Sequence, residues 1–142
     1  MITLVIGGSG SGKSAYAEQM AVKAAGNGSL YYVATMQVYD EEGKKKVERH
    51  QKMRAGKGFL TIEQPRRLKE AAKKVATEKV SAGKVAAERV PAGKIVLLEC
   101  MSNLVANEMF EEQGAHDRTV SEVTKGIENL LEQAAHVVIV TN

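Results

Sequence analysis

The sequence predicts an α/β protein of three layers, with a mostly parallel sheet held between helices. Three observations carry that prediction. Short apolar runs alternate with segments whose apolar residues recur at helical spacing. The runs lack polar alternation, as strands covered on both faces do. The first run ends in a glycine-rich turn that leads directly into a helix.

In chain order, Ile2 to Ile6 is a β-branched run ending in glycines and reads as a buried strand. From Ser14 onward, Ala17, Met20, Ala21 and Ala24 make the apolar stripe of a helix that stops at Gly26-Asn27-Gly28. Leu30 to Thr35 is a second strand. Asp40 to about Arg54 is charged and helix-compatible, with Asp40, Glu41 and Glu42 as an acidic first turn, and Gly56 and Gly58 end it. Phe-Leu-Thr-Ile-Glu-Gln-Pro reads as a third strand stopped by Pro65. Residues 67–90 are expected to hold one helix and an elongated loop. A short duplication there, Glu-Lys-Val-Ser-Ala-Gly-Lys-Val at 78–85 and Glu-Arg-Val-Pro-Ala-Gly-Lys-Ile at 88–95, is read as a loop expansion without its own function. Lys94 to Cys100 is a uniformly apolar strand, followed by a helix over roughly Ser102 to Glu112. Val120, Val123, Ile127, Leu130, Leu131 and Ala134 mark a last amphipathic helix, and His-Val-Val-Ile-Val a last strand.

The 142 residues are expected to form one domain, 1–142, around a single core. Apolar residues make up 44% and aromatics 4% with no Trp, so that core is aliphatic. A net charge of +3, with no basic-aromatic pattern, is too mild for a nucleic-acid partner. The one cysteine, Cys100, excludes an internal disulfide framework and is read as a small buried hydrophobe. No apolar run is long enough to span a membrane and the opening residues already read as a strand, so a cytoplasmic protein is expected.

The turn after the first strand has Gly7-x-x-x-x-Gly12-Lys13-Ser14, the spacing of a phosphate loop. Glycines let successive N–H groups turn inward around a phosphate, and the helix N-terminus adds its positive end. Gly7, Gly8, Ser9, Gly10, Ser11, Gly12, Lys13 and Ser14 are therefore candidate nucleotide-binding residues. Lys13 is expected on the β- and γ-phosphates and the Ser14 hydroxyl on Mg²⁺. Glu99, ending the Ile-Val-Leu-Leu-Glu strand, is the candidate acid, either supporting Mg²⁺ or taking a hydroxyl proton; capping the next helix is its alternative.

Residues 44–54 carry six Lys or Arg against one Glu. Lys46, His50 and Arg54 are four apart and share a helical face. Such a stripe attracts phosphate, and His50 within it is a candidate nucleophile toward an α-phosphate. A solvated charged face is the alternative on residue grounds. His116 and His136 receive no role.

Taken together, Gly-Gly-Ser-Gly-Ser-Gly-Lys-Ser, Tyr-Tyr-Val-Ala-Thr-Met-Gln-Val-Tyr-Asp-Glu-Glu running into Val-Glu-Arg-His-Gln-Lys-Met-Arg, Thr-Ile-Glu-Gln-Pro, and Val-Leu-Leu-Glu-Cys continuing to Asn107 resemble one family. It is the bifunctional adenosylcobinamide kinase / adenosylcobinamide-phosphate guanylyltransferase family of cobalamin biosynthesis. The resemblance implies a RecA-like P-loop fold, phosphorylation of the aminopropanol hydroxyl of adenosylcobinamide, and GMP transfer from GTP through a covalent histidine–GMP. ATP and GTP are the implied substrates with Mg²⁺, and a homotrimer the implied assembly. It maps the guanylylated histidine onto His50, the phosphate loop onto Gly7, Gly12, Lys13 and Ser14, and the acid onto Glu99. Lys46, Arg54 and Glu63 join the nucleotide-binding set. The family places Arg where this chain has Gly10, and its Arg-Pro-x-x-Trp stretch stands here as Arg-Ala-Gly-Lys-Gly-Phe, with Phe59 in the aromatic place. The family's pattern also continues past Val-Thr-Asn with residues that supply further strands, so an uncovered sheet edge or face is expected. A P-loop kinase for another small metabolite, and an inactive nucleotide-binding domain, are the alternative functions.

Overall fold

The computed structural model describes residues 1–77 and 93–142. Five strands, β1 (Ile2–Ile6), β2 (Ser29–Ala34), β3 (Phe59–Glu63), β4 (Lys94–Glu99) and β5 (His136–Thr141), form one sheet in the order β1-β5-β4-β2-β3. Every pairing is parallel, so the sheet expected to be mostly parallel is wholly so among the described residues. The connections carry α1 (Lys13–Ala25), α2 (Glu41–Arg54), α3 (Leu68–Thr77), α4 (Met101–Phe110) and α5 (Thr119–Gln133), with a 3₁₀ turn at His116–Arg118 before α5. The predicted elements are all present, with ends displaced by a residue or two, as expected where helices fray and strands merge into turns. The first part of the 67–90 segment is α3, while most of the duplicated segment lies outside the described residues.

Pleating sends alternate strand residues to two cores. Tyr31, Val33, Val96, Leu98, Val137 and Ile139 face α3, α4 and α5, where Leu68, Val75, Leu104 and Leu130 meet them. Leu30, Tyr32, Ile95, Leu97, Val138 and Val140 face Ala17 and Ala21 of α1. Neighbouring tyrosines 31 and 32 thus part to opposite sides of the sheet. Gly126 of α5 lets α3 approach closely, since a Cβ there would lie 2.5 Å from Leu68 Cβ.

Among the described residues β1 is an edge strand, hydrogen-bonded to β5 alone. Ile2, Leu4 and Ile6 pair in register with Val137, Ile139 and Thr141, on the face that α3 to α5 cover elsewhere, yet they are 50%, 56% and 66% exposed.

α2 is built differently. Asp40 caps it by accepting from Gly43 N at 2.7 Å, Glu41 and Glu42 sit in the first turn, and Lys52 and Arg54 in the last, a charge order that suits the helix dipole. Of its 14 residues only Arg54 is buried. Just beyond it, Lys57 Nζ lies 2.9 Å from Oε1 of Glu18, a fully buried residue of α1, and ties the turn after α2 to the body.

Candidate active site

Because all five strands run the same way, their carboxyl ends share one rim, where ligands of open α/β sheets bind. A cavity of about 200 Å³ opens there. It gathers Ser9, Gly10, Lys13 and Ser14 from the first turn, Lys46, His50 and Arg54 from α2, Glu63 from β3 and Glu99 from β4. These include each of the expected catalytic residues. Gly7, Gly8, Ser11 and Gly12 shape the loop without lining the cavity.

The loop geometry follows from its glycines. Gly10 and Gly12 have φ of 75° and 89°, the left-handed region that side chains disfavour. Gly12 is the N-cap of α1, so Lys13 and Ser14 open the helix. Gly7 N donates to Thr141 O at 3.3 Å, anchoring the loop to β5. Lys13 Nζ donates to Gly8 O at 3.1 Å along the loop. Gly10 makes the turn without adding a cation.

Glu99 is the focus of the site. It is 8% exposed. Ser14 Oγ donates to its Oε2 in a short hydrogen bond, and Tyr32 Oη donates to Oε1 at 2.9 Å. His50 Nδ1 lies 3.8 Å from the same Oε1. Burial pushes the Glu99 carboxyl up, but His50, Ser14 and Tyr32 outweigh it and hold it below the ordinary glutamate value. The carboxylate therefore stays ionised, as a cation ligand requires. It caps no helix: Cys100 is the N-cap of α4. Burial, and then the neighbouring Glu99, push the Tyr32 phenol far above its usual value.

Thr35 fixes the end of β4 by donating from Oγ1 to Cys100 O and accepting from Cys100 N, both at 2.8 Å. Asn107 Nδ2 then donates to Thr35 O and Pro65 O, each at 2.9 Å, so α4 clasps the rim from below. Cys100, expected to be a buried hydrophobe, is instead half-buried on the cavity wall, because β4 ends at Glu99 and the next residue turns outward. The cationic stripe also differs from its expected form. Lys46 is exposed, but Arg54 is 7% exposed and its guanidinium stacks 3.5 Å above the Tyr32 ring centroid. Tyr32, Thr35 and Asn103 were not among the sequence candidates. The two-residue alternation of β2 places Tyr32 on the same side as Leu30, but the sequence does not say which side carries the site.

Ser14 and Glu99 present paired hard oxygens, a donor set that suits Mg²⁺. Among the described residues no group of three or more His, Cys, Asp or Glu is placed to hold a metal ion.

A parallel sheet whose first strand turns through glycines into a helix, with a strand-end acid bonded to the helix-opening serine, is an α/β fold of the P-loop NTPase kind. The cobinamide kinase / cobinamide phosphate guanyltransferase family matches residues 3–142, and the chain belongs to that family. Among curated proteins it is similar to the bifunctional adenosylcobalamin biosynthesis protein CobU of Escherichia coli (strain K12), 29% identical over 117 residues. That match covers 82% of this chain and 55% of the relative, so the chain spans about half the relative's length. No helix among the described residues is long and apolar enough to cross a membrane.

Proposed function

We propose that this chain, as one nucleotide-binding domain over residues 1–142, phosphorylates the aminopropanol hydroxyl of adenosylcobinamide. It then transfers GMP from GTP to the product through a covalent intermediate on His50. The observation that carries this reading is the convergence of Ser14 from α1, His50 from α2 and Glu99 from β4 on one carboxylate-centred cavity.

In the kinase step, the loop amides and Lys13 hold the triphosphate while Ser14 and Glu99 present their oxygens to Mg²⁺, which when bound offsets phosphate charge. The substrate hydroxyl oxygen bonds to the γ-phosphorus, the bond to the β-phosphate oxygen breaks, and the nucleoside diphosphate leaves. The hydroxyl proton passes to solvent. In the guanylyl step, Nδ1 of His50 faces Glu99 and carries the ring proton, which leaves Nε2 with a lone pair. Nε2 bonds to the α-phosphorus of GTP and pyrophosphate leaves with the broken P–O bond's electrons. The resulting positive ring is stabilised by Glu99. A phosphate oxygen of adenosylcobinamide phosphate then displaces the imidazole, the P–N bond breaks, and His50 returns to its starting state.

Incubation with Mg²⁺ and GTP labelled at the α-phosphate, followed by denaturation, is expected to leave an acid-labile label that disappears in His50→Ala. Nucleotide binding without any label would instead favour a kinase for another small metabolite.

A further inference from the structure

Two features of the site lead to one buried ring. The first is the Glu99 carboxylate, whose Oε1 receives the Tyr32 phenol at 2.9 Å. The second is the seating of α2, whose only buried residue, Arg54, lies with its guanidinium 3.5 Å from the Tyr32 ring centroid. Phe59 of β3 braces the same ring edge-on, with centroids 6.1 Å apart and planes at 84°. Tyr32 itself is 3% exposed, so phenol, ring face and ring edge each have a partner. His50 stands one helical turn before Arg54, and its Nδ1 faces the oxygen that the phenol holds.

We propose that Tyr32 is a positioning residue shared by both transfer reactions, its hydroxyl aiming Glu99 and its ring seating the end of α2 so that His50 meets the cavity. This rests on the functional reading given above. The chemistry suits a phenol in particular. It donates a hydrogen bond to the carboxylate without neutralising it, which a lysine or arginine would do, so the charge of Glu99 stays available to a cation. Its ring face meanwhile offers the desolvated Arg54 an attraction that an aliphatic side chain lacks. One residue on β2 thereby sets the relation between β4, which serves phosphoryl transfer, and α2, which serves GMP attachment.

Two substitutions separate the roles. Tyr32→Phe keeps the ring and removes the hydroxyl. It is expected to raise the half-saturating Mg²⁺ for phosphoryl transfer about tenfold, the effect of losing a hydrogen bond to a charged group. Label on His50 at saturating Mg²⁺ should fall less than about threefold, because the seat is retained. Tyr32→Leu removes both features, and the label should fall about a further tenfold, in line with the loss of a desolvated cation–aromatic contact. A wild-type Mg²⁺ requirement in Tyr32→Phe would overturn the carboxylate role, and equal labelling of the two variants would overturn the seat. Urea midpoints check that each variant folds. If the leucine variant does not, Arg54→Gln removes the cation from the other side of the contact and should lower labelling in the same way. Wild-type protein that neither takes label nor transfers phosphate would reject the functional reading itself. Binding of a fluorescent methylanthraniloyl-GTP, titrated with Mg²⁺, would then still read the hold of Tyr32 on Glu99.

Discussion

Glu99 keeps a charge where burial opposes it, and His136 does the reverse. The carboxylate is kept ionised by three partners. His136 at the start of β5 is half-buried against Thr3, with its Nε2 2.7 Å from Thr3 Oγ1. Burial, and then the charge of the N-terminal ammonium, hold its pKa below the usual histidine value. The folded chain therefore binds this proton less readily than the unfolded chain. Stability from this source is full above the unfolded value of about 6.5 and falls as pH drops through it. Urea midpoints measured at about pH 7.5 and about pH 5.5 are expected to differ more in wild type than in His136→Gln. Equal pH dependence in the two would contradict this. His116, the other histidine without an assigned role, donates from Nε2 to Glu111 O, 2.8 Å away, and braces the turn before α5.

At the scale of elements, the packing of α3 on α5 turns on Gly126. An added methyl there would meet Leu68 Cβ, which is part of a fully buried residue and too near its own backbone to swing aside. Gly126→Ala gains about 1 kcal/mol of helix propensity and meets an overpacking cost of about 3 kcal/mol, so a net loss of about 2 kcal/mol is expected in urea unfolding. Leu68→Ala in the same chain should not restore it, because the offending carbon is still present. The role of this glycine leaves no local signal in the sequence, since the close approach is set by a residue of another helix. The strands and helices themselves were legible because central parallel strands are apolar throughout and the helices keep a regular stripe. That Glu99 ends a strand at the rim was legible, and so was the shared face of His50 with Lys46 and Arg54 through their spacing, whereas the role of His50 came only from the family resemblance. Tyr32 was not, because Leu30-Tyr31-Tyr32-Val33 is apolar on both faces and only the stacked sheet decides which tyrosine meets the site. The seating of Arg54 was hidden for the same reason: its partner lies on another element.

For the whole molecule, the bare face of β1 has a cost in solution. Ile2, Leu4 and Ile6 line an unpaired edge, a combination that promotes association between chains. Leu4→Lys is expected to reduce self-association of this 142-residue chain in sedimentation at high concentration. Its urea midpoint should stay within about 0.5 kcal/mol of wild type, because the side chain is already exposed. An unchanged sedimentation profile would clear this edge of responsibility. That the strand carrying the glycine loop stands at an edge of the sheet emerged only with the strand order.

That order has a consequence for how the protein is made. The loop that would hold phosphate leans on β5, through Gly7 and Thr141, and the ammonium of Met1 bonds to Ala135, 134 residues away along the chain. A ribosome releases the loop well before the strand that supports it. Contacts so distant are among the slowest to form. The glycine loop therefore emerges long before its support, and a nascent chain whose loop is braced has already added β5 to the sheet.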